Sequence, residues 1–185
     1  DLIGIFKNKS LTLLIFLGSM PLIIVGYFCY STGLIDHLRN LKIIAWTTLI
    51  FGILLYFADR SKNKNSFNTD LNFKNILIIG LFQILALVPG VSRSGIIITI
   101  SRFLNFDRVD STKISFYLSI PALTGASFLG LKDVFETGIV INLILIYSII
   151  FSFTISYLTI KYFLVYVKKF SLNFFVYYRI FLALI

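Results

Sequence analysis

Polar residues in this chain are sparse and clustered, and the intervals between the clusters are long. Four uncharged, mainly apolar runs stand out: Leu11–Ile35, Ile43–Ala58, Ile114–Leu131 and Ile139–Ile160. The hydrocarbon core of a bilayer is about 30 Å thick, and a helix rises about 1.5 Å per residue, so a span takes about 20 such residues. Each run therefore predicts a crossing, the short second one being extended by the aliphatic stems of its flanking residues. A fifth apolar segment, Ile76–Phe106, is interrupted by Pro89-Gly90-Val91-Ser92-Arg93-Ser94-Gly95. Neither half spans a bilayer comfortably, so the segment either crosses once, broken, or dips in and returns.

The basic residues separate these two options, because cytoplasmic flanks collect Lys and Arg. If the segment returns, one face holds Lys7, Lys9, Arg60, Lys62, Lys64, Lys74, Arg102, Arg108, Lys113, Lys161, Lys168 and Lys169, and the other only Arg39, Lys42 and Lys132. If it crosses, the split becomes seven against eight. The return is predicted. The expected architecture is an all-α integral membrane protein: a polytopic helical bundle in one transmembrane domain, 1–185, with a re-entrant helix-loop-helix over 76–106. Irregular backbone survives at membrane depth only where protein or a wet cavity satisfies it, so 89–95 is expected to line a site. Asp59–Asn75 reads as a cytoplasmic loop. Ala122, Ala126 and Gly130 share one helix face and predict close approach of a neighbouring helix. Folds of this kind often repeat a unit in inverted form, and no second broken hairpin is found here, so the chain reads as half of an inverted repeat. It opens at Asp1 rather than Met and stops inside the apolar run Leu172–Ile185, and is expected to be a piece of a longer protein.

Composition sharpens this picture. With 185 residues, 58% hydrophobic and 14% charged, and mean hydropathy +0.92, the chain departs from the soluble average of about 45–50% apolar and about 25% charged. A soluble globular domain is excluded. The net charge of +9 would suggest nucleic acid in a soluble protein; here topology accounts for it, and the partner is the bilayer. Cys29 is the single cysteine, which excludes an intrachain disulfide and a multi-cysteine metal site.

Candidate chemistry concentrates at 89–95. Arg93, flanked by Ser92, Ser94, Gly90 and Gly95 and opening a helix at Ile96, suits an anionic phosphate. The guanidinium forms paired hydrogen bonds to its oxygens, the hydroxyls donate more, glycine allows close approach, and the helix N-terminus adds free N–H groups. An arginine at mid-depth costs at least about 2.5–3.5 kcal/mol and so implies a ligand or a partner. The plainer alternative is that Arg93 locks two helices or snorkels. Gln83 needs a partner in its apolar half-helix, and substrate contact and helix packing are equally open. Arg179 has three open roles: pairing, snorkelling or holding a lipid headgroup. His37, the one histidine, reads as a solvated loop residue. All eight acids, Asp1, Asp36, Asp59, Asp70, Asp107, Asp110, Asp133 and Glu136, fall in loops, at span edges or at the terminus. No carboxylate pair faces Arg93 to bind a divalent ion or activate water, and no metal ligand is assigned.

The stretch Phe82-Gln83-Ile84-Leu85-Ala86-Leu87-Val88-Pro89-Gly90-Val91-Ser92-Arg93-Ser94-Gly95 resembles the undecaprenyl-diphosphate phosphatase, or bacitracin-resistance, family. Ile114–Ala122, Ile160-Lys161-Tyr162-Phe163-Leu164 and Tyr178-Arg179 resemble further stretches of it, so the likeness runs over essentially the whole chain, as the last two-thirds of a member. The resemblance implies an inner-membrane enzyme that hydrolyses undecaprenyl diphosphate to undecaprenyl phosphate for envelope synthesis, with bacitracin resistance and a site open to the periplasm. It implies active-site roles for Arg93 and Ser92; the chemistry of the break itself adds Ser94, Gly90 and Gly95, with Gln83, as the residues expected to bind substrate. It also implies a divalent cation, Mg or Ca, whose ligands are expected in the family's glutamate-rich first motif, outside these residues. The family often has a hydroxyl at the position of Ile97; here the nearest is Thr99. A membrane transporter or binding module for a lipid phosphate or other anion is the alternative, because half-helix N-termini at mid-depth also hold anions in transporters. A homodimer is compatible with the sequence.

Overall fold

The computed structural model describes residues 9–34, 38–137 and 143–185, leaving aside the side chains of Asn68 and 133–137. The expectations for Lys7, His37, Asp1 and Asp36 lie outside the described residues, as do those for the side chains of Asp133 and Glu136. In chain order the helices are α1 (Lys9–Thr32), α2 (Leu41–Asp59), a single turn α3 (Phe67–Asp70), α4 (Phe73–Gln83) continued by a 3₁₀ turn (Ile84–Leu87), α5 (Arg93–Phe103), α6 (Arg108–Thr137), α7 (Leu143–Lys169) and α8 (Asn173–Leu184). Among the described residues four helices, α1, α2, α6 and α7, are long and apolar enough to cross a membrane. They overlap the four predicted runs, of which residues 35 and 139–142 lie outside the described ones. The chain is a multi-pass, all-α membrane protein.

Local chemistry starts these helices where they start. Asn40 caps α2 by accepting the Lys42 N–H at 2.9 Å, and Asn72 caps α4 by accepting the Asn75 N–H at 2.9 Å. Each side chain satisfies one of the N–H groups that a helix start leaves unpaired.

The broken segment does return on itself. The loop after α2 and the turn after α5 meet: Lys64 and Asn65 donate their N–H groups to the Asn105 carbonyl at 3.0 Å, and the Asn65 side chain donates to Leu104 at 2.8 Å. Asn105, at φ 64°, sits in the left-handed conformation that Asn tolerates better than most residues. The turn 104–107 therefore lies at the same end of the bundle as Asp59, and α4 and α5 form a hairpin whose tip is 88–92.

Two apolar clusters hold this hairpin. Ile76 and Ile79 of α4, Val91 at the tip, and Ile96 and Ile97 of α5 pack with Ile15 of α1 and with Ile114 and Leu118 of α6. On the other side, Ile98 joins Leu55 of α2, Val167 of α7, Leu172 just before α8, and Val176 of α8. Ile97 and Ile98 thus face opposite clusters, so the middle of this short helix, Ile96 to Thr99, is buried on both sides. α1 and α4 cross closely where Gly18 meets Gly80: a Cβ on Gly80 would collide with the Gly18 carbonyl. The close approach that small residues permit is made at this pair. The predicted stripe Ala122, Ala126 and Gly130 instead lines open space beside α1 and the tip.

Candidate functional site

Tight constraints fix the tip backbone. Gly90 has φ 92°, a region that L-residues rarely adopt. A Cβ there would also lie 2.7 Å from the Ile44 carbonyl. The carbonyls freed by the break find donors. Thr47 Oγ1 donates to the Pro89 carbonyl at 2.7 Å, and Thr48 Oγ1 to the Gly90 carbonyl at 3.3 Å. Arg179, from α8, donates through Nη2 to the Gly90 carbonyl at 2.8 Å and the Val91 carbonyl at 3.2 Å. Of the roles open to Arg179 in the sequence, the structure shows pairing, and the partners are tip carbonyls rather than a side chain. Partners of this kind are what irregular backbone needs wherever water is scarce.

Ser92, at φ 65°, caps α5, and its Oγ accepts the Gly95 N–H at 3.3 Å and lies 3.5 Å from Ser94 Oγ. A side chain at Gly95 would crowd Ser92 Oγ at 3.2 Å and Arg179 Nη1 at 3.0 Å. The first helical residue is Arg93 itself, three positions before the start the sequence suggested, so its own N–H and that of Ser94 point out of the helix end.

Two cavities flank the tip, and they divide the predicted residues. The larger, about 780 Å³, is lined by α1 (Leu22, Gly26, Tyr27), by Ala86 and Leu87, by the α6 stripe, and by Arg93, the one charged residue in its wall among the described residues. Arg93 is half-buried and has no hydrogen-bond or ion-pair partner among the described residues. The smaller, about 540 Å³, holds Gly90, Ser92, Ser94 and Gly95 together with Thr48, Tyr178 and Arg179. The two serines and Arg93 thus open on opposite sides of the α5 N-terminus. Gln83 lines neither cavity. It is fully buried in α4, with neither side-chain atom paired among the described residues. Ile97 is fully buried in the core, and Thr99 Oγ1 is committed to the Gly95 carbonyl at 2.8 Å.

A divalent ion does not fit the described residues at the tip, which offer guanidinium, hydroxyl and backbone groups but no carboxylate. The described acids sit at the other end of the hairpin and are engaged there: Asp59 with Arg108, Asp110 with Lys113, Asp70 with Ser66 and Thr69, and Asp107 with the Asp110 N–H.

Sequence reasoning missed one arginine. Arg102, at the end of α5, appeared as a flank residue, yet it is only 2% exposed. Its guanidinium donates to the Asp59 carbonyl at 2.9 Å, the Ser61 carbonyl at 2.7 Å, Asn63 Oδ1 and the Phe106 carbonyl. The available signal was the polar loop Asp59–Asn75, whose carbonyls need donors once it folds against a helix end.

Over residues 5–185 the chain matches a family model described as bacitracin resistance protein BacA. It is 54% identical over 186 residues to an undecaprenyl-diphosphatase of Pelagibacter ubique, covering 100% of this chain and 73% of that protein. Similar proteins under the same name occur in Elusimicrobium minutum, 40% identical with 97% of this chain and 67% of that protein covered, and in Saccharophagus degradans, 37% identical with 96% and 66% covered. The chain spans roughly two-thirds to three-quarters of the length of these relatives.

Proposed function

The chain belongs to the bacitracin resistance protein BacA family, and we propose that it serves the hydrolysis of undecaprenyl diphosphate to undecaprenyl phosphate and inorganic phosphate, recycling a lipid carrier for envelope synthesis. One observation carries this reading: among the described residues, a half-buried and unpaired guanidinium is the sole charge in the wall of a mainly apolar cavity. A long polyprenyl chain with an anionic head matches both properties of that space.

The residues divide the work as follows. The apolar cavity takes the first isoprene units, so Arg93 meets the phosphate that carries the chain. Water attacks the distal phosphorus, the bond from that phosphorus to the bridging oxygen breaks, and the water proton passes to solvent. Negative charge grows on the departing lipid phosphate. Arg93 is placed to stabilise that charge through paired N–H···O bonds, stronger here than in water because the surroundings are apolar. The α5 N-terminus adds two backbone N–H groups and its positive end. Ser92 holds the turn that aims Arg93, and the hydroxyls of Ser92 and Ser94 open toward the distal phosphate when the diphosphate spans the helix end. The proposed setting is the bacterial inner membrane with the tip toward the periplasmic side. The concentration of Lys and Arg at the opposite end of the hairpin supports that orientation. The divalent ion implied by the resemblance needs carboxylates from elsewhere, and no step above passes through it.

The test is Arg93→Ala in the full-length protein, assayed for phosphate release from the purified lipid diphosphate. Loss of a donor to developing charge predicts a fall in kcat of about 10²-fold or more. Near-normal turnover would overturn the reading. Retained binding of the lipid without turnover in the unaltered protein would favour the transporter or binding-module alternative.

A further inference from the structure

The two helices that shape the tip, α5 and α8, are tied to one residue at the far end of the hairpin. Asp59 closes α2 and is 4% exposed. Its carboxylate accepts Arg108 Nε at 2.6 Å and Nη2 at 2.9 Å, and the Leu172 N–H, at the start of α8, at 3.2 Å. Its carbonyl accepts Arg102, near the end of α5.

From that anchor a continuous seam runs back to the tip. On α2, Asp59, Leu55, Gly52 and Thr48 recur at helical spacing on one face. Leu172, which caps α8, and Val176 and Arg179 within it do the same. The pairs meet in antiparallel order: Asp59 at Leu172, Leu55 with Leu172 and Val176, Gly52 with Arg179, and Thr48 with Arg179. A Cβ on Gly52 would sit 3.3 Å from Arg179 Cβ, so α8 lies close against α2 there. Arg179 then reaches the tip carbonyls.

We infer that Asp59 is a positioning residue for the tip. Its carboxylate fixes the height of α8 along α2, and this sets where Arg179 grips Gly90 and Val91 and hence where α5 begins and Arg93 points. The inference rests on the reading that the tip is the catalytic element. A displacement of about 1 Å at a reacting centre costs on the order of 10²-fold in rate, so a far anchor of this kind controls turnover without touching substrate.

The experiment compares Asp59→Asn with the unaltered full-length protein in lipid nanodiscs. It reads amide hydrogen exchange over residues 89–96 and 173–184 together with kcat and KM. The amide keeps the shape and removes the charge that Arg108 and the Leu172 N–H share. Faster exchange in both segments is expected, with kcat lower by about 10- to 100-fold and KM within about twofold of normal, because the cavity that takes the chain is lined, Arg93 apart, by α1, the 3₁₀ turn and α6. Asp110→Asn, which breaks the pair with Lys113 at the same end of the bundle, should leave the tip unchanged. If Asp59→Asn fails to fold, Arg108→Gln carries the same test: it removes the two donors that hold the carboxylate in place under the Leu172 N–H, and Arg108 is itself partly exposed. Unaltered exchange at 89–96 in a folded variant overturns the inference. Faster exchange at the tip with full turnover upholds the mechanical link and instead removes the tip from the chemistry.

Discussion

Three arginines in this chain share a side chain and differ in everything around it. Arg102 has four oxygen acceptors, Arg179 has tip carbonyls, and Arg93 has a cavity. A buried cation is satisfied by partners or by a ligand, and only Arg93 is left waiting for the second among the described residues. The sequence singled out Arg93 because Ser and Gly surround it. It could not assign Arg179, whose partners are main-chain carbonyls 88 and 89 residues away and leave no trace in side-chain type. Gly90 tests the tip most directly. Gly90→Ala forces a side chain into a left-handed conformation against the Ile44 carbonyl, so destabilisation of about 1–3 kcal/mol is expected, read as a lower unfolding temperature together with lost phosphate release. A second residue, Asp70, reports acid sensitivity at the loop end. The Ser66 N–H, and after it the Thr69 hydroxyl, hold its carboxyl below the ordinary value of 3.8. A depressed pKa stabilises the folded turn above the unfolded value and loses that contribution as pH falls through the folded one. Exchange protection of the Ser66 amide should therefore be flat from about pH 7 to 5 and fall below about pH 4, and Asp70→Asn should remove that dependence.

At the scale of elements, the hairpin and the four long helices were legible because bilayer solvation writes them into the order of charged and apolar residues. The role of the small-residue stripe on α6 was not. Ala122, Ala126 and Gly130 share a face as expected, but spacing alone cannot tell a face that receives a helix from one that receives a ligand; both need room near the backbone. The close helix contact is made by Gly18 and Gly80 instead, on α1 and α4. If the stripe borders the path of the lipid chain, Ala126→Phe should raise KM for a long-chain diphosphate more than for a short-chain one. Because Ala126 is exposed to the cavity, the change in unfolding free energy should stay within about 0.5 kcal/mol. Equal KM values for both substrates would remove this cavity from the chain's path. The separation of Arg93 from Ser92 and Ser94 also escaped the sequence, because adjacent residues at a helix start project about 100° apart and the neighbouring helices decide which space each one enters.

For the molecule as a whole, the two clusters on either side of α5 make the hairpin the piece that both halves of the bundle grip. The sequence located that piece by its break, while the clusters depend on which helices become neighbours across long stretches of chain. The buried guanidinium of Arg102 also constrains how such a structure can be made. The acceptors it needs on Asp59, Ser61 and Asn63 lie 43, 41 and 39 residues earlier in the chain. At about 5–20 residues per second they leave the ribosome some seconds ahead of it. The berth for the hairpin's cationic end is thus synthesised before the hairpin itself, whereas the grip of Arg179 on the tip must await α8. Newborn chains are therefore expected to pass through an interval in which the dip is anchored at its root and its apex is held by the two α2 threonines alone.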